Sequence, residues 1–123
     1  MYLVDTNVLI LAISKQDPDY SFLQKIITKK QLILSVIPVA EFLSQSSEGE
    51  DMELERLLAA FQVLGVDLKV AQLAGEYRKK FLKQRRIQLL DYFIAAQAKL
   101  HNLTLVTNNK ADFPMKDIKI ISP

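Results

Sequence analysis

A single carboxylate separates two apolar runs at the start of the chain, and this pattern allows few kinds of fold. Tyr2–Val4 is predicted to be a buried strand, Asp5 stands where that strand should end, and a short helix is predicted through Ser14. In α/β proteins, the carboxyl end of a strand faces the crevice in which ligands bind. Asp is also a good helix cap. On this stretch alone, Asp5 is a candidate both for ligand binding and for capping.

Short apolar runs alternate with amphipathic helical patterns along the rest of the chain. Strands are predicted at 32–34, 63–68, 103–106 and 118–121. Helices are predicted at 22–30, from Pro38, and at 54–61, 70–81 and 90–101, with loops at 44–49 and 107–114. Such alternation is typical of parallel sheets covered by helices. We therefore predict an α/β fold in a single domain over residues 1–123, a three-layer α/β/α sandwich with a short, mostly parallel central sheet.

Composition excludes several classes of protein. The chain has no cysteine, so disulfides, thiolate zinc sites and cysteine nucleophiles are excluded. Its one histidine, His101, falls at a predicted helix end, which argues against a serine triad. The three glycines form neither a phosphate loop nor a dinucleotide fingerprint. No apolar run approaches the roughly 20 residues of a membrane helix, and the basic region of a signal peptide is missing, so no membrane partner and a cytoplasmic location are expected.

Four acids are embedded in apolar sequence, namely Asp5, Glu41, Asp91 and Asp112. Glu41 is predicted to lie too late in its helix to cap it. Asp91 could instead be a first-turn acid favoured by the helix dipole, and Asp112 a turn residue bonding its own backbone. In a parallel sheet, however, strand ends and the starts of the following helices share one edge. The four acids are therefore expected to lie together at that edge.

Carboxylates crowded at one edge repel each other. The repulsion is about 4 kcal/mol per pair at roughly 4 Å with an effective dielectric near 20, so such clusters persist mainly when a cation or a proton neutralises them. An all-oxygen set of ligands suits Mg²⁺ or Mn²⁺ rather than zinc. Such sites usually serve nucleases, in which metal ions activate water for in-line displacement at phosphorus.

The motifs around these acids resemble those of PIN domains, and more narrowly those of VapC-type ribonuclease toxins from prokaryotic toxin–antitoxin pairs. The resemblance spans nearly the whole chain, with the motifs in the family's order. The matching motifs are Val4-Asp5-Thr6-Asn7, Ala40-Glu41-Phe42, Asp91-Tyr92-Phe93-Ile94-Ala95-Ala96, and Leu105-Val106-Thr107-Asn108-Asn109 followed by Asp112-Phe113.

The resemblance implies roles for individual residues. It makes Asp5, Glu41 and Asp91 the core metal ligands, with Asp112 as the fourth acid. Asn109 matches a position that shares or replaces the role of this fourth acid, and the polar residues that orient the acids or a bound water are Thr6, Asn7 and Thr107. The implied activity is Mg²⁺- or Mn²⁺-dependent endonucleolytic cleavage of RNA, leaving a 5′-phosphate and a 3′-hydroxyl. The implied partners are RNA, a second copy in a homodimer, and an antitoxin that inserts a segment into the acidic groove.

A basic cluster without intervening acids lies at 78–86 and comprises Arg78, Lys79, Lys80, Lys83, Arg85 and Arg86. Two interpretations of it remain open. Lys and Arg side chains can hold RNA phosphates, and the candidates for this role are Arg78, Lys79, Lys83, Arg85 and Arg86. The cluster could equally be a solvated helix face and loop. An acidic cluster at 48–55 is expected to face a protein partner or solvent.

Three other functional classes fit the sequence less well than a nuclease does. A degenerate PIN module that only binds protein or RNA would be expected to lack some of the acids, yet all four are present. An aspartyl-phosphate phosphohydrolase would need a second Asp two residues after Asp5, and that position is Asn7; Lys110 is only a loose match for its lysine. A phosphoacceptor signalling domain would need adjacent acids in its first loop, which are not evident.

Overall fold

The computed structural model describes residues 1–83 and 87–123. The strands are β1 (Tyr2–Val4), β2 (Leu32–Ser35), β3 (Val63–Leu64), β4 (Thr104–Val106) and β5 (Ile120–Ile121). The helices are α1 (Thr6–Ile13), α2 (Asp19–Thr28), α3 (Val36–Leu43), α4 (Glu48–Ala60), α5 (Leu68–Lys80) and α6 (Leu89–Leu100), with a 3₁₀ turn at Lys110–Asp112. None of the helices in this part of the chain is both long and apolar enough to cross a membrane.

β1 lies at the centre of a parallel sheet with the strand order β3-β2-β1-β4-β5. Leu3 pairs with Ile33 of β2 on one side and with Leu105 of β4 on the other. Helices connect β1 to β2, β2 to β3 and β3 to β4, because parallel neighbours need a crossover. The carboxyl ends of the strands consequently share one edge of the sheet.

Two hydrophobic cores lie on opposite faces of the sheet because side chains alternate along each strand. Leu3 and Ile33 belong to the core that α5 and α6 cover. Val4 and Leu34 belong to the core that α1, α2 and α4 cover. The predicted three-layer α/β/α sandwich is therefore confirmed, and every strand pairing in the described residues is parallel.

Two of the helices that begin earlier than the sequence pattern predicted are capped by serine side chains. α3 starts two residues before Pro38, since the hydroxyl of Ser35 accepts from the second backbone N–H of the helix at 3.2 Å. α4 starts inside the predicted loop at 44–49, since Ser47 and Glu50 form a capping box. The prediction missed both starts because it followed the apolar pattern rather than the caps.

Two strands are shorter than predicted by two residues or more. The run at 63–68 pairs only over Val63–Leu64, because Asp67 caps α5 by accepting from the backbone N–H of Val70 at 3.0 Å and so commits the chain to a helix. The run at 118–121 pairs only over Ile120–Ile121, at the edge of the sheet beside β4. Neither difference moves the segments that carry the four embedded acids.

Candidate active site

Four separate segments bring acidic side chains to one pocket at the carboxyl edge of the sheet. Asp5 follows β1, Glu41 is the sixth residue of α3, Asp91 is the third residue of α6, and Asp112 ends the 3₁₀ turn. The pocket has a volume of about 250 Å³ and is lined by Asp5, Thr6, Asn7, Glu41, Gln45, Gln88, Asp91, Asn109 and Asp112. The fold thus brings together acids that are 107 residues apart at the extremes of the sequence.

Asp5 is held by hydrogen bonds on both of its carboxylate oxygens. Oδ1 accepts from the backbone N–H of Thr6 at 2.8 Å, and Oδ2 accepts from the hydroxyl of Thr107 at 2.9 Å. Burial raises the pKa of Asp5; the two hydrogen bonds lower it in part, and the negative charges of Glu41 and Asp112 raise it again. Asp5 therefore both caps α1 and lines the pocket, so the two roles suggested by the sequence are compatible.

Glu41 is positioned by the first residue of a neighbouring helix. The hydroxyl of Thr6 donates to Oε1 of Glu41 at 2.9 Å, and Thr6 itself is buried. The same residue thus contacts Asp5 through its backbone and Glu41 through its side chain. This arrangement fixes two acids relative to each other although they are 36 residues apart.

Residues 107–112 close the pocket on the side of β4. The hydroxyl of Thr107 donates to Asp5 and also accepts from the backbone N–H of Asn109 at 3.0 Å. The backbone N–H of Asp112 donates to the carbonyl of Asn109 at 3.0 Å. Asn109 and Asp112 both line the pocket, whereas Thr107 lies behind Asp5 and acts on the pocket through it.

The pKa of Asp91 is raised from 3.8 to about 6. The largest cause is burial, followed among the raising effects by the negative charges of Asp5, Asp112 and Glu41. A hydrogen bond from the backbone N–H of Gln88 to Oδ2, at 3.2 Å, opposes the rise. The surroundings of Asp91 therefore disfavour its ionised form in the metal-free protein. A bound cation would offset this effect, because its positive charge stabilises the carboxylate.

The donors in the pocket fit a hard divalent cation. Its charged side chains are all carboxylates and its neutral ones are amides and a hydroxyl, so oxygen ligands predominate and no soft ligand is present among the lining residues. No group of three or more His, Cys, Asp or Glu side chains within residues 1–83 and 87–123 is already arranged as a metal-binding set. The fit to a cation therefore rests on the chemistry of the lining side chains.

The described residues of the basic cluster are not among those that line the pocket. Arg78, Lys79 and Lys80 form the exposed last turn of α5, and Lys83 follows it. Lys79, Lys80 and Lys83 line a separate cavity of about 440 Å³ with Phe81 and Leu82. Arg85 and Arg86 lie outside the described residues. The predicted contact of this cluster with RNA phosphates stays a prediction.

Three residues near the pocket were missed by the sequence analysis. Gln45 and Gln88 line the pocket, and nothing in the sequence distinguishes Gln45 from other polar residues at helix ends. Asp19 is buried, with 3% of its surface exposed, although Asp17-Pro18-Asp19 has the composition of an exposed turn. The available signal for Gln88 was its position directly before α6, three residues ahead of Asp91.

Comparison with known proteins agrees with this architecture. The family model of the PIN domain matches residues 2–119. Ribonuclease VapC10 of Mycobacterium tuberculosis is 34% identical over 116 residues, which cover 94% of this chain and 87% of that protein. Ribonuclease VapC2 of Rickettsia felis is 30% identical over 121 residues, covering 92% of this chain and 90% of that protein.

Solved structures show the same fold. A chain in the crystal structure of VapBC2 from Rickettsia felis bound to a DNA fragment from their promoter superimposes with a TM-score of 0.79 at 28% identity, covering 99% of this chain and 98% of that one. The match of the family model covers all four segments that line the acidic pocket. The chain therefore belongs to the PIN domain family.

Proposed function

We propose that this chain is a metal-dependent endoribonuclease whose acidic pocket holds Mg²⁺ or Mn²⁺, and that it serves as the toxin of a toxin–antitoxin pair. The observation that carries the proposal is the convergence of four acids from four segments on one pocket, with Thr6 and Thr107 donating to two of them. The two relatives named as ribonucleases, each at least 30% identical over most of the chain, support RNA as the substrate.

The ligands of the ion would be Asp5, Glu41, Asp91 and Asp112. When bound, such an ion lowers the pKa of water and stabilises the charge that develops on the phosphate oxygens. The protein contributes preorganisation, because Thr107 and Thr6 hold the oxygens of Asp5 and Glu41 in place before substrate arrives. The positive charge of a bound ion would also favour the ionised form of Asp91, because it would offset the negative charges of the neighbouring carboxylates.

The neutral polar residues of the pocket are suited to hold the substrate rather than the ion. Asn7, Gln45 and Gln88 line the pocket with amide groups that can donate to phosphate or ribose oxygens and accept from base edges. Single-stranded RNA exposes these groups, whereas the deep major groove of an RNA duplex hides base edges. We therefore propose an unpaired RNA segment as the substrate.

Electrostatics requires cations on the route of the RNA to the pocket. Four carboxylates repel a phosphate chain, so RNA binding should depend both on the divalent ion and on basic side chains outside the pocket. The exposed Arg78, Lys79 and Lys83 are the described candidates, and Arg85 and Arg86 continue the same cluster in the sequence.

The negative charge of the pocket favours an inhibitor with a positively charged side chain. We propose that the antitoxin places a basic side chain among the four acids, where its charge would replace that of the metal ion. The resemblance to VapC-type toxins and the similarity to a chain of the VapBC2 structure support such a partner. Homodimer formation is proposed on the same resemblance.

The test of the activity is cleavage of a mixed RNA pool by the purified protein with Mg²⁺, with Mn²⁺ and with EDTA. Asp5→Asn and Asp91→Asn should each reduce metal-dependent cleavage at least about 100-fold, since each removes a charged ligand at the reacting centre. Glu55→Gln is the matched control, because it removes an exposed carboxylate of α4 outside the pocket and should leave the rate unchanged.

Two outcomes contradict the proposal. Cleavage that survives in both Asn variants would come from another site or from a contaminating nuclease. Absence of both cleavage and Mn²⁺ binding by calorimetry in the unmodified protein would instead support a PIN module that binds partners without cutting RNA.

A further inference from the structure

A fifth acid, Asp19, is buried next to the segment that closes the pocket. It is the first residue of α2, and only 3% of its surface is exposed. The side-chain amide of Asn108 donates to Oδ2 of Asp19 at 2.7 Å, across 89 positions of the sequence. A buried carboxylate is costly unless it is hydrogen-bonded, so loss of this contact would carry a substantial penalty.

Asn108 stands between two residues that act on the pocket. Thr107 donates to Asp5, and Asn109 lines the pocket together with Asp112. The chain bends at Asn108, so that the side chain of Asn108 contacts α2 while Thr107 and Asn109 serve the pocket.

The segment that carries these residues is anchored at both ends. Val106 at the end of β4 is fully buried, and Phe113 directly after the 3₁₀ turn is buried as well. Between these anchors, the side-chain amide of Asn108 forms the hydrogen bond that ties the segment to α2. That bond thus acts two residues after Val106, at the start of the segment that leads to Asn109 and Asp112.

We propose that Asp19 is a positioning residue, which through Asn108 holds residues 107–112 so that Asn109 and Asp112 face the pocket. The effect of this contact on cleavage rests on the proposed function, because Asp112 matters for cleavage only in a pocket that holds an ion. The effect of the contact on the position of residues 107–112 does not depend on that function. The competing interpretation is that Asp19 only stabilises the start of α2, where the helix dipole favours an acid.

Amide hydrogen exchange of the metal-free protein, measured by NMR, separates the two interpretations. In Asn108→Ala, the amides of Asn109 and Asp112 should exchange about tenfold faster, the effect of losing one hydrogen bond to a charged group. A change confined to the amide of Phe22, which bonds to the carbonyl of Pro18 within the first turn of α2, would instead support the competing interpretation. Unchanged exchange at Asn109 and Asp112 in Asn108→Ala would overturn the proposal.

A reciprocal exchange of the two side chains provides the rescue. Asn108→Asp alone places two carboxylates against each other and should weaken Mn²⁺ binding about tenfold by calorimetry. Adding Asp19→Asn restores a donor and an acceptor in reversed order at unchanged net charge, and should return the affinity to within about threefold of the original. A double variant that binds Mn²⁺ no better than Asn108→Asp would also overturn the proposal.

The two readouts keep this inference separate from the proposed activity. If the unmodified protein binds no Mn²⁺ and cuts no RNA, the proposed function fails. Exchange at Asn109 and Asp112 in the metal-free Asn108→Ala variant then still supports or overturns the positioning role of Asp19.

Discussion

Among single residues, Asp91 shows most directly that the surroundings in the pocket disfavour ionised carboxylates. Its pKa is raised to about 6 because burial and three neighbouring carboxylates disfavour the ionised form. The folded state therefore binds this proton more tightly than the unfolded chain does. The stability that the proton contributes is complete below about pH 4 and is lost as the pH rises through about 6.

Asp91→Asn should consequently stabilise the metal-free protein at pH 8, where the native carboxylate is ionised. Asn keeps an oxygen that can accept from the backbone N–H of Gln88. Because the side chain is partly exposed, solvent screening limits the effect, and we expect Tm to rise by about 4 °C, equivalent to roughly 1 kcal/mol. The difference should disappear at pH 4, and thermal denaturation followed by circular dichroism measures both values.

Two comparisons make this prediction specific. Glu55→Gln removes an exposed acid and should show no such dependence on pH. Saturating Mn²⁺ should reverse the order, because the metal stabilises the native protein that binds it and not the variant with a missing ligand. A variant that is less stable than the native protein at pH 8 without metal would contradict the raised pKa.

Within the helices, the N-terminal caps decide where each element begins. Asp5, Ser35, Ser47 and Asp67 each accept a backbone N–H at the start of α1, α3, α4 and α5, respectively. Two of these caps also set the site, because Asp5 caps α1 and itself lines the pocket, and the start of α3 fixes the turn on which Glu41 lies. Cap residues are short polar side chains that also occur in loops, so an apolar pattern alone does not locate these helix starts.

Ser47→Ala should lower the free energy of unfolding by about 1 kcal/mol, because it removes one half of the capping box of α4. Urea denaturation measures the loss. Gln72→Ala on the exposed face of α5 is the control and should cause no loss, since Ala is the better helix former. Equal stabilities of Ser47→Ala and the native protein would show that α4 does not depend on this cap.

Across the whole molecule, one buried amide links three elements near the ends of the strands. Gln97 of α6 is fully buried; its Oε1 accepts from the hydroxyl of Ser35 at 2.6 Å, and its Nε2 donates to the carbonyl of Gly65 at 2.9 Å. It thereby connects α6 with the end of β2 and with the chain that follows β3. Buried hydrogen bonds of this kind fix a single arrangement of packed layers.

Gln97→Met should lower the free energy of unfolding by about 2 kcal/mol, because it leaves the buried hydroxyl of Ser35 without its acceptor and removes the bond to the carbonyl of Gly65. Gln72→Met is the matched control at an exposed position, where the same substitution should change stability by less than about 0.5 kcal/mol. Urea denaturation compares the two variants. Equal effects of both substitutions would refute the linking role of Gln97.

Local patterns in the sequence were sufficient for the fold class and for the four acids. The α/β/α architecture follows from alternating strand and helix periodicities, which depend on neighbours only a few residues away. Asp5, Glu41, Asp91 and Asp112 stood out because their immediate neighbours are apolar, and the motifs around them carried the resemblance to PIN domains. Their catalytic roles stay predictions until the variants are measured.

Contacts between distant segments were decided only by the tertiary structure. The strand order β3-β2-β1-β4-β5, the bond between Asp19 and Asn108, and the positions of Gln45 and Gln88 in the pocket join residues with no local relation in the sequence. The burial and the raised pKa of Asp91 likewise come from groups on other elements. The sequence determined which acids the chain supplies, and three-dimensional packing determined how they are held, because desolvation and hydrogen bonding depend on distance in space rather than on distance along the chain.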